Sequence, residues 1–354
     1  MSIYVRAKKN MGPFVLDVEF ETGGGVTGLL GASGCGKSVT LGCIAGIVRP
    51  DEGRIVMDGV TLFDSEKGIN LAPQKRKVGL LFQNYALFPN MTAEGNIKSV
   101  LALGGRTDVG GRFRSLIEKF YLGGLENHYP ATLSGGQRQR VALARIMASD
   151  PRIIMLDEPL SALDSYLRWQ LEGELIRILE EFGGTTLYVS HSRDEVYRLC
   201  SNVCVINEGR AEPMRTVEEL FESPNTLASS LLSGCKNYSR ASAAGGRTVH
   251  ALDWGVDLSC STAVAEDIGY IGVRAHYITL DCDGESENSF QCRVLRVIPD
   301  VFSTIVNVSP EGAPSSGDFS RIRVEMQKEE ARGISAGDIV RVRMGPEVIM
   351  LLKG

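Results

Sequence analysis

Between Val26 and Val205 the chain alternates short, nearly continuous apolar runs with helix-like segments. The clearest runs are residues 26–30, 78–82, 153–156 and 186–189. Strands covered on both faces read this way, so the region predicts a mainly parallel α/β sheet. Residues 3–6 and 14–20 read as additional strands ahead of it, and 217–232 as helical. The chain then turns small and polar from Ser239 to Gly246, the composition of a linker. Beyond it, residues 290–297 and 339–344 alternate apolar and polar positions, which predicts a small antiparallel β domain or barrel. The expected division is an α/β domain over 1–235 with a helical insert at about 84–150, a linker at 236–248 and a β-rich domain over 249–354. No internal repeat is visible.

A length of 354 residues suits about two domains, and 43% hydrophobic with 23% charged residues is an ordinary globular balance. The net charge of −5 offers no basic excess for nucleic acid. No apolar run approaches the roughly 18 residues that span a bilayer. Arg6, Lys8 and Lys9 are followed by no apolar core, so the start does not read as a signal peptide. Any membrane role is expected to come through a partner, from the cytoplasmic side. The eight cysteines are scattered and fit no zinc spacing, which leaves reduced thiols as the expectation.

The chemistry concentrates in three stretches. Gly31-Ala32-Ser33-Gly34-Cys35-Gly36-Lys37-Ser38 follows the first buried run and opens a helix, the Gly-x4-Gly-Lys-Ser pattern of a phosphate-binding loop. Its backbone N–H groups and the helix N-terminus suit phosphate oxygens, Lys37 reaches the β- and γ-phosphates, and Ser38 supplies an oxygen to Mg²⁺. Asp157 and Glu158 end the run 153–156, where ligands sit in an open α/β sheet. Asp157 is placed to hold Mg²⁺, and Glu158 to act as general base on the attacking water. Leu133-Ser134-Gly135-Gly136-Gln137 carries a capping box, Ser134 with Gln137, that predicts a helix running to about Ala148. Its adjacent Gly135 and Gly136 suit close approach of an anion. Cys35, inside the loop and two residues from Lys37, is expected to be the reactive thiol.

Leu133 to Gln137, about 20 residues ahead of Asp157, resembles the signature of ATP-binding-cassette ATPases. Further elements resemble the family in order: Gln83 its glutamine loop, which contacts Mg²⁺ and water, and Ser161-Ala162-Leu163-Asp164 its aspartate loop. His191 resembles its switch histidine, which contacts the γ-phosphate. His128, His250 and His276 fit no such slot. The implied fold is α/β, a P-loop NTPase cassette of mainly parallel sheet plus antiparallel strands and a helical subdomain, with a small C-terminal β-barrel-like domain. In catalysis the resemblance gives roles to Glu158, His191, Gln83 and Asp164; Mg²⁺ would fall to Ser38, Gln83 and Asp157. It also implies a head-to-tail homodimer in which the Gly31–Ser38 loop of one chain faces Ser134, Gly135, Gly136 and Gln137 of the other across ATP. The family stacks an aromatic ring on adenine; Met11 is nearest that place here, so the base contact is expected to be apolar.

Tyr85 to Pro89 opens the insert between Gln83 and Ser134, and exposed apolar residues there would form a groove for a helix of a transmembrane permease. The run Ala86 to Thr92 and the β-rich extension resemble importer subunits, at the cytoplasmic membrane face and served indirectly by an extracytoplasmic substrate-binding protein. Leu62 to Ser65, Ile69, Arg76 to Gly79 and Ser233 to Asn237 are similar to molybdate importers, whose cargo is molybdate or tungstate. Sulfate/thiosulfate, iron and sugar importers share most of this scaffold. Cassette ATPases of DNA or ribosomes are the rival class; a coiled-coil insertion or a second cassette, their marks, is not seen.

Overall fold

The computed structural model describes residues 2–103, 108–161, 165–281, 287–314 and 319–353. The chain divides into two units, Met1–Val217 and Glu218–Gly354.

In the first unit, β1 (Ser2–Asn10) and β2 (Val15–Gly23) pair antiparallel and lead into β3 (Val26–Leu30), which runs into α1 (Lys37–Ala45). β4 (Glu52–Met57), β5 (Val60–Asp64) and β6 (Ile69–Asn70) extend the antiparallel part, and β7 (Val78–Leu81) returns to the parallel part. The insert follows as α2 (Ala93–Leu103), α3 (Val109–Lys119) and α4 (Gly135–Ala148). Then come β8 (Ile153–Asp157), α5 (Ser165–Phe182), β9 (Thr185–Ser190), α6 (Arg193–Leu199), β10 (Asn202–Asn207), β11 (Arg210–Ala211) and β12 (Arg215–Thr216).

The sheet order is β6-β5-β4-β1-β2-β11-β10-β3-β9-β8-β7, with β12 against β10. β10, β3, β9, β8 and β7 are mutually parallel neighbours. Burial follows the sequence pattern. β2 buries Leu16, Val18, Phe20 and Thr22 and exposes Asp17, Glu19 and Glu21, whereas all six residues of β9 are buried. The first is a sheet with one wet face, the second a strand covered on both sides. The α1 helix packs under β1, β2 and β8, so its N-terminus is held at the parallel strand ends.

In the second unit, α7 (Val217–Glu222), which starts on the boundary residue, and α8 (Leu227–Leu232) precede ten strands among the described residues. The continuous helix expected over 217–232 is broken at Pro224, and Thr226 restarts it with a capping box to Ser229. One sheet holds β13 (Asn237–Gly245), β14 (Thr248–Ala251), β15 (Val256–Ser259), β16 (Tyr270–Val273) and β22 (Met350–Leu352). The other holds β17 (Ile278–Asp281), β18 (Ser289–Pro299), β19 (Ser303–Pro310), β20 (Ile322–Gln327) and β21 (Ile339–Met344). Val249, Val273, Val294, Val306 and Val342 from both sheets share one core around Trp254.

The linker expected at 236–248 is instead strand. Its small residues pair along β13 with β14 and β16, and Asn237, fully buried, ties three segments together. Its side chain donates to the carbonyls of Val273 (3.1 Å) and Arg323 (2.9 Å) and accepts from the Arg323 N–H (2.7 Å). Small residues here serve close strand pairing rather than freedom.

Candidate functional site

Four neighbouring strands, β3, β9, β8 and β7, end on one edge of the sheet, and each hands a predicted residue to that edge. After β3 comes the loop Gly31–Ser38; after β9, His191; at and after β8, Asp157 and Glu158; after β7, Gln83. Order in the sheet thus assembles groups up to 160 positions apart in sequence, as open parallel sheets do at their carboxyl ends.

Gly36 caps α1 with φ 109°, a conformation that excludes a side chain with Cβ, and turns the loop into the helix. Lys37 is buried, and its Nζ donates to the carbonyls of Gly31 (2.7 Å) and Ala32 (2.9 Å). The ammonium therefore lies against the loop's own backbone. Ser38 Oγ donates to Asp157 Oδ1 at 3.0 Å, joining the loop to β8. Burial raises the Asp157 pKa above the ordinary value of 3.8; the Ser38 hydrogen bond opposes this and the neighbouring Glu158 charge adds to it.

Glu158 occupies left-handed backbone space at φ 47°, a strained position for a glutamate. Its N–H donates to Val189 O (3.0 Å), and its carbonyl accepts from Ser161 Oγ (2.9 Å). Its carboxylate Oε1 stands 3.2 Å from His191 Nδ1. Gln83 Nε2 donates to Ser161 Oγ at 3.3 Å. Ser38 with Asp157, and Gln83 with Ser161, Glu158 and His191, thus form two polar sets that meet at the Asp157–Glu158 peptide bond. Asp164, with Ala162 and Leu163, lies outside the described residues.

The signature stretch forms its own structure. Ser134 Oγ accepts from Gln137 N–H (3.3 Å) and Gln137 Oε1 from Ser134 N–H (2.9 Å), the expected capping box. Gly136 has a packing reason as well: an added Cβ would stand 2.9 Å from Leu171 Cδ1 of α5. Met11 is half-exposed (49%), while Phe14 packs against Gly36.

Cys35 corrects the sequence reading. The side chain is only 6% exposed and belongs to the core beneath the sheet with Leu16, Leu29 and Ile206. Its Sγ is 3.7 Å from Lys37 Nζ, and a Cβ added to Gly31 would touch the sulfur at 2.5 Å.

Two further groups have no mark in the motifs. Tyr85 and Ala86 both adopt positive φ, 63° and 45°, directly after the glutamine loop. Arg145 of α4 donates to the carbonyls of Ala86 (2.8 Å) and Tyr85 (3.1 Å), and its guanidinium lies over the Phe88 ring. Asn96 of α2 completes the clamp: its Oδ1 accepts from Phe88 N–H (2.8 Å), and its Nδ2 donates to the carbonyls of Phe88 (3.1 Å) and Met91 (3.2 Å). Phe88 (45% exposed) and Met91 (36%) are thereby presented on a fixed turn. Glu195, buried beside His191, is the second; Ser192-x-x-Glu195 is a capping-box pattern that could have drawn attention to it.

Residues 16–161, which hold the Gly31–Ser38 loop, the Ser134–Gln137 stretch and the Asp157–Glu158 pair, match the ABC transporter family model. Among similar proteins, the molybdenum import ATP-binding protein ModC of Paramagnetospirillum magneticum is 38% identical over 220 residues, 61% of this chain and 60% of that protein. ModC of Rhizobium meliloti is 37% identical over 224 residues, 63% of each chain. The spermidine/putrescine import ATP-binding protein PotA of Nitrosospira multiformis is 40% identical over 198 residues, 55% of this chain and 53% of that one. The chain thus spans about three fifths of the length of the curated relatives it matches. In structure it resembles the ATP-binding cassette MJ0796, solved as a dimer in a post-hydrolysis state bound to ADP and Pi. The TM-score is 0.52 at 27% identity, over 61% of this chain and 99% of that one. Among the described residues no helix is long and apolar enough to cross a membrane.

Proposed function

We propose that this chain hydrolyses ATP to power an importer, working as a head-to-tail homodimer at the cytoplasmic face of the membrane against a permease. The observation that carries this reading is the convergence of four adjacent strand ends, where Glu158 meets His191 and the adjoining Asp157 is hydrogen-bonded to Ser38 of the phosphate loop. The triphosphate would lie on the α1 N-terminus, where Lys37 exchanges the loop carbonyls for phosphate oxygens. Glu158, with its backbone fixed on Val189, is the general base for water, and His191 beside it meets the γ-phosphate.

The hydroxyl of Ser38 and the carboxylate of Asp157 are the hard oxygen donors that Mg²⁺ takes, and a divalent cation would offset the cost of burying Asp157 ionised. Bound there, Mg²⁺ would supply charge neutralisation on the β- and γ-phosphates. A site completed by Ser134 to Gln137 of a second chain makes ATP a link between protomers, so binding favours the closed dimer. Phe88 and Met91, held by Arg145 and Asn96, supply the apolar docking edge for the permease.

For the cargo we propose molybdate or the similar tungstate, on the ModC relatives; the PotA relative makes a polyamine the alternative. Phosphate release by the purified chain should require Mg²⁺ and rise more steeply than linearly with protein concentration. Turnover that is insensitive to EDTA, or linear in protein across the dimerisation range, overturns the ATPase-dimer reading. Deleting the gene should abolish uptake of labelled molybdate; loss of spermidine uptake instead assigns the cargo to polyamines.

A further inference from the structure

His191 is exposed over about half its side chain (57%), and its ring meets Glu158 at 3.2 Å. A ring so exposed takes its direction from its backbone, and the backbone around it is closed into a loop by side chains. Ser190 Oγ accepts from the Ser192 N–H at 2.9 Å, bridging across His191 from one side of the chain to the other. Ser192 Oγ accepts from the Glu195 N–H at 3.3 Å and starts α6. Glu195 Oε2 then accepts from Ser190 Oγ (2.8 Å) and from the phenol of Tyr188 (2.8 Å). Tyr188, Ser190 and Glu195 are 0%, 2% and 4% exposed.

A buried carboxylate is costly unless hydrogen-bonded, and hydroxyl donors to an ionised oxygen make the stronger kind of bond. Two such donors on one oxygen leave Ser190 Oγ a single direction, with its lone pair aimed at the Ser192 N–H. Burial, and then the Glu195 charge, push the Tyr188 phenol far up, so it stays a proton donor throughout the working range. Glu195 is therefore joined to the strand before His191 and to the helix after it, while the ring itself remains free to face the site.

We infer that Glu195 is a positioning residue for catalysis: through Ser190 and the Ser192 N–H it fixes the turn that aims His191 at Glu158 and the γ-phosphate. The inference rests on the ATPase reading, and wild-type turnover tests that reading separately. Glu195→Gln keeps an oxygen acceptor but loses the charge. Its expected effect is a fall in kcat of about 10-fold or more with KM for ATP nearly unchanged, because misplacement by about an ångström is enough. A purely structural role would instead lower the folded fraction or move KM together with kcat.

The deciding measurement is a double-mutant cycle read by single-turnover hydrolysis of labelled ATP, sensitive enough for the residual activity of His191→Ala. With His191 in place Glu195→Gln should cost the full factor; in the His191→Ala background it should cost under about 2-fold, the two effects being non-additive through one contact. Equal losses in both backgrounds, or unchanged kcat in Glu195→Gln, overturn the inference while leaving the ATPase reading intact. If thermal unfolding shows that Glu195→Gln fails to fold, Tyr188→Phe removes one donor only and enters the same cycle with the same criteria.

Discussion

Asp157 in the first unit and Asp253 in the second are carboxylates drawn out of water, and the two units treat them in opposite ways. Asp253 is 2% exposed and satisfied on every side. Its oxygens accept from the Arg240 N–H (2.7 Å) and guanidinium (2.7 Å), and its own N–H donates to Ser239 Oγ (2.9 Å). Although desolvation acts to raise it, Arg240 wins and holds the carboxyl below its ordinary value. Asp157 has one hydroxyl, Ser38, and a second carboxylate next to it, so burial wins and its pKa is raised. The first arrangement fastens the turn after β14; the second keeps charge under strain at a strand end. Asp253 is thus answered by its own protein, whereas Asp157 has one hydroxyl partner set against the charge of its neighbour Glu158.

Catalytic chemistry should fail hardest where the carboxylate next to Asp157 is removed. Glu158→Gln is expected to lower turnover by about 10²-fold or more, the usual scale for loss of a general base, with ATP binding retained. ATP-bound dimers should accumulate, measurable by size-exclusion in the presence of Mg·ATP. Turnover near that of the wild type would remove Glu158 from its role.

The next two outcomes test the comparison by sign. Asp253→Asn should destabilise the second unit by about 1–2 kcal/mol, since it weakens bonds to a buried charged acceptor. Asp157→Asn should raise the melting temperature in EDTA by roughly 2–4 °C, the scale of about 1 kcal/mol in a domain of this size, while abolishing the Mg²⁺ dependence of nucleotide binding. Their pH dependences also differ in direction. Asp253, with a lowered pKa, contributes stability that is present above the ordinary 3.8 and is lost as pH falls through its folded value. Asp157, with a raised one, contributes stability present below 3.8 and lost as pH rises through its folded value. Differences between wild type and each variant, followed by denaturation from pH 3 to 7, should slope in opposite senses. Equal slopes would erase the distinction.

The strand-end site was readable because its residues stand in local motifs: the loop needs its glycines next to Lys37 and Ser38, and strand burial places Asp157 and Glu158 at an end. What brings them together, β3 beside β9 beside β8 beside β7, is long-range pairing that short apolar runs do not encode. The same limit hid Arg145, whose carbonyl partners at Tyr85 and Ala86 lie some sixty residues away. In the second unit the alternation of β18 and β21 was legible, yet β13 was not. Its alanines and serines have the composition of a flexible segment, and only the partners of Asn237 reveal a buried strand. Composition records how a residue behaves alone, and β13 is defined by its neighbours.

The smallest expected effect concerns Cys35, where position in the motif and direction of the side chain disagree. Its place in the phosphate loop sets the sulfur 3.7 Å from the Lys37 ammonium. Reaction with an alkylating reagent also needs access, and the sulfur is turned into the core with Leu16, Leu29 and Ile206. Access decides, because a reagent must displace packed side chains before it meets the sulfur, whatever the local field. Native Cys35 should therefore label far more slowly with iodoacetamide than in the denatured chain, and added ATP should change that rate little. Cys35→Ala leaves a space of about one sulfur atom and should cost on the order of 1 kcal/mol of stability, with turnover kept within about 2-fold. Peptide mapping after timed alkylation, with and without Mg·ATP, measures the first expectation. Fast labelling that ATP suppresses would mean that the loop turns its fifth residue outward in solution, and that this part of the first unit is built for movement as well as for charge.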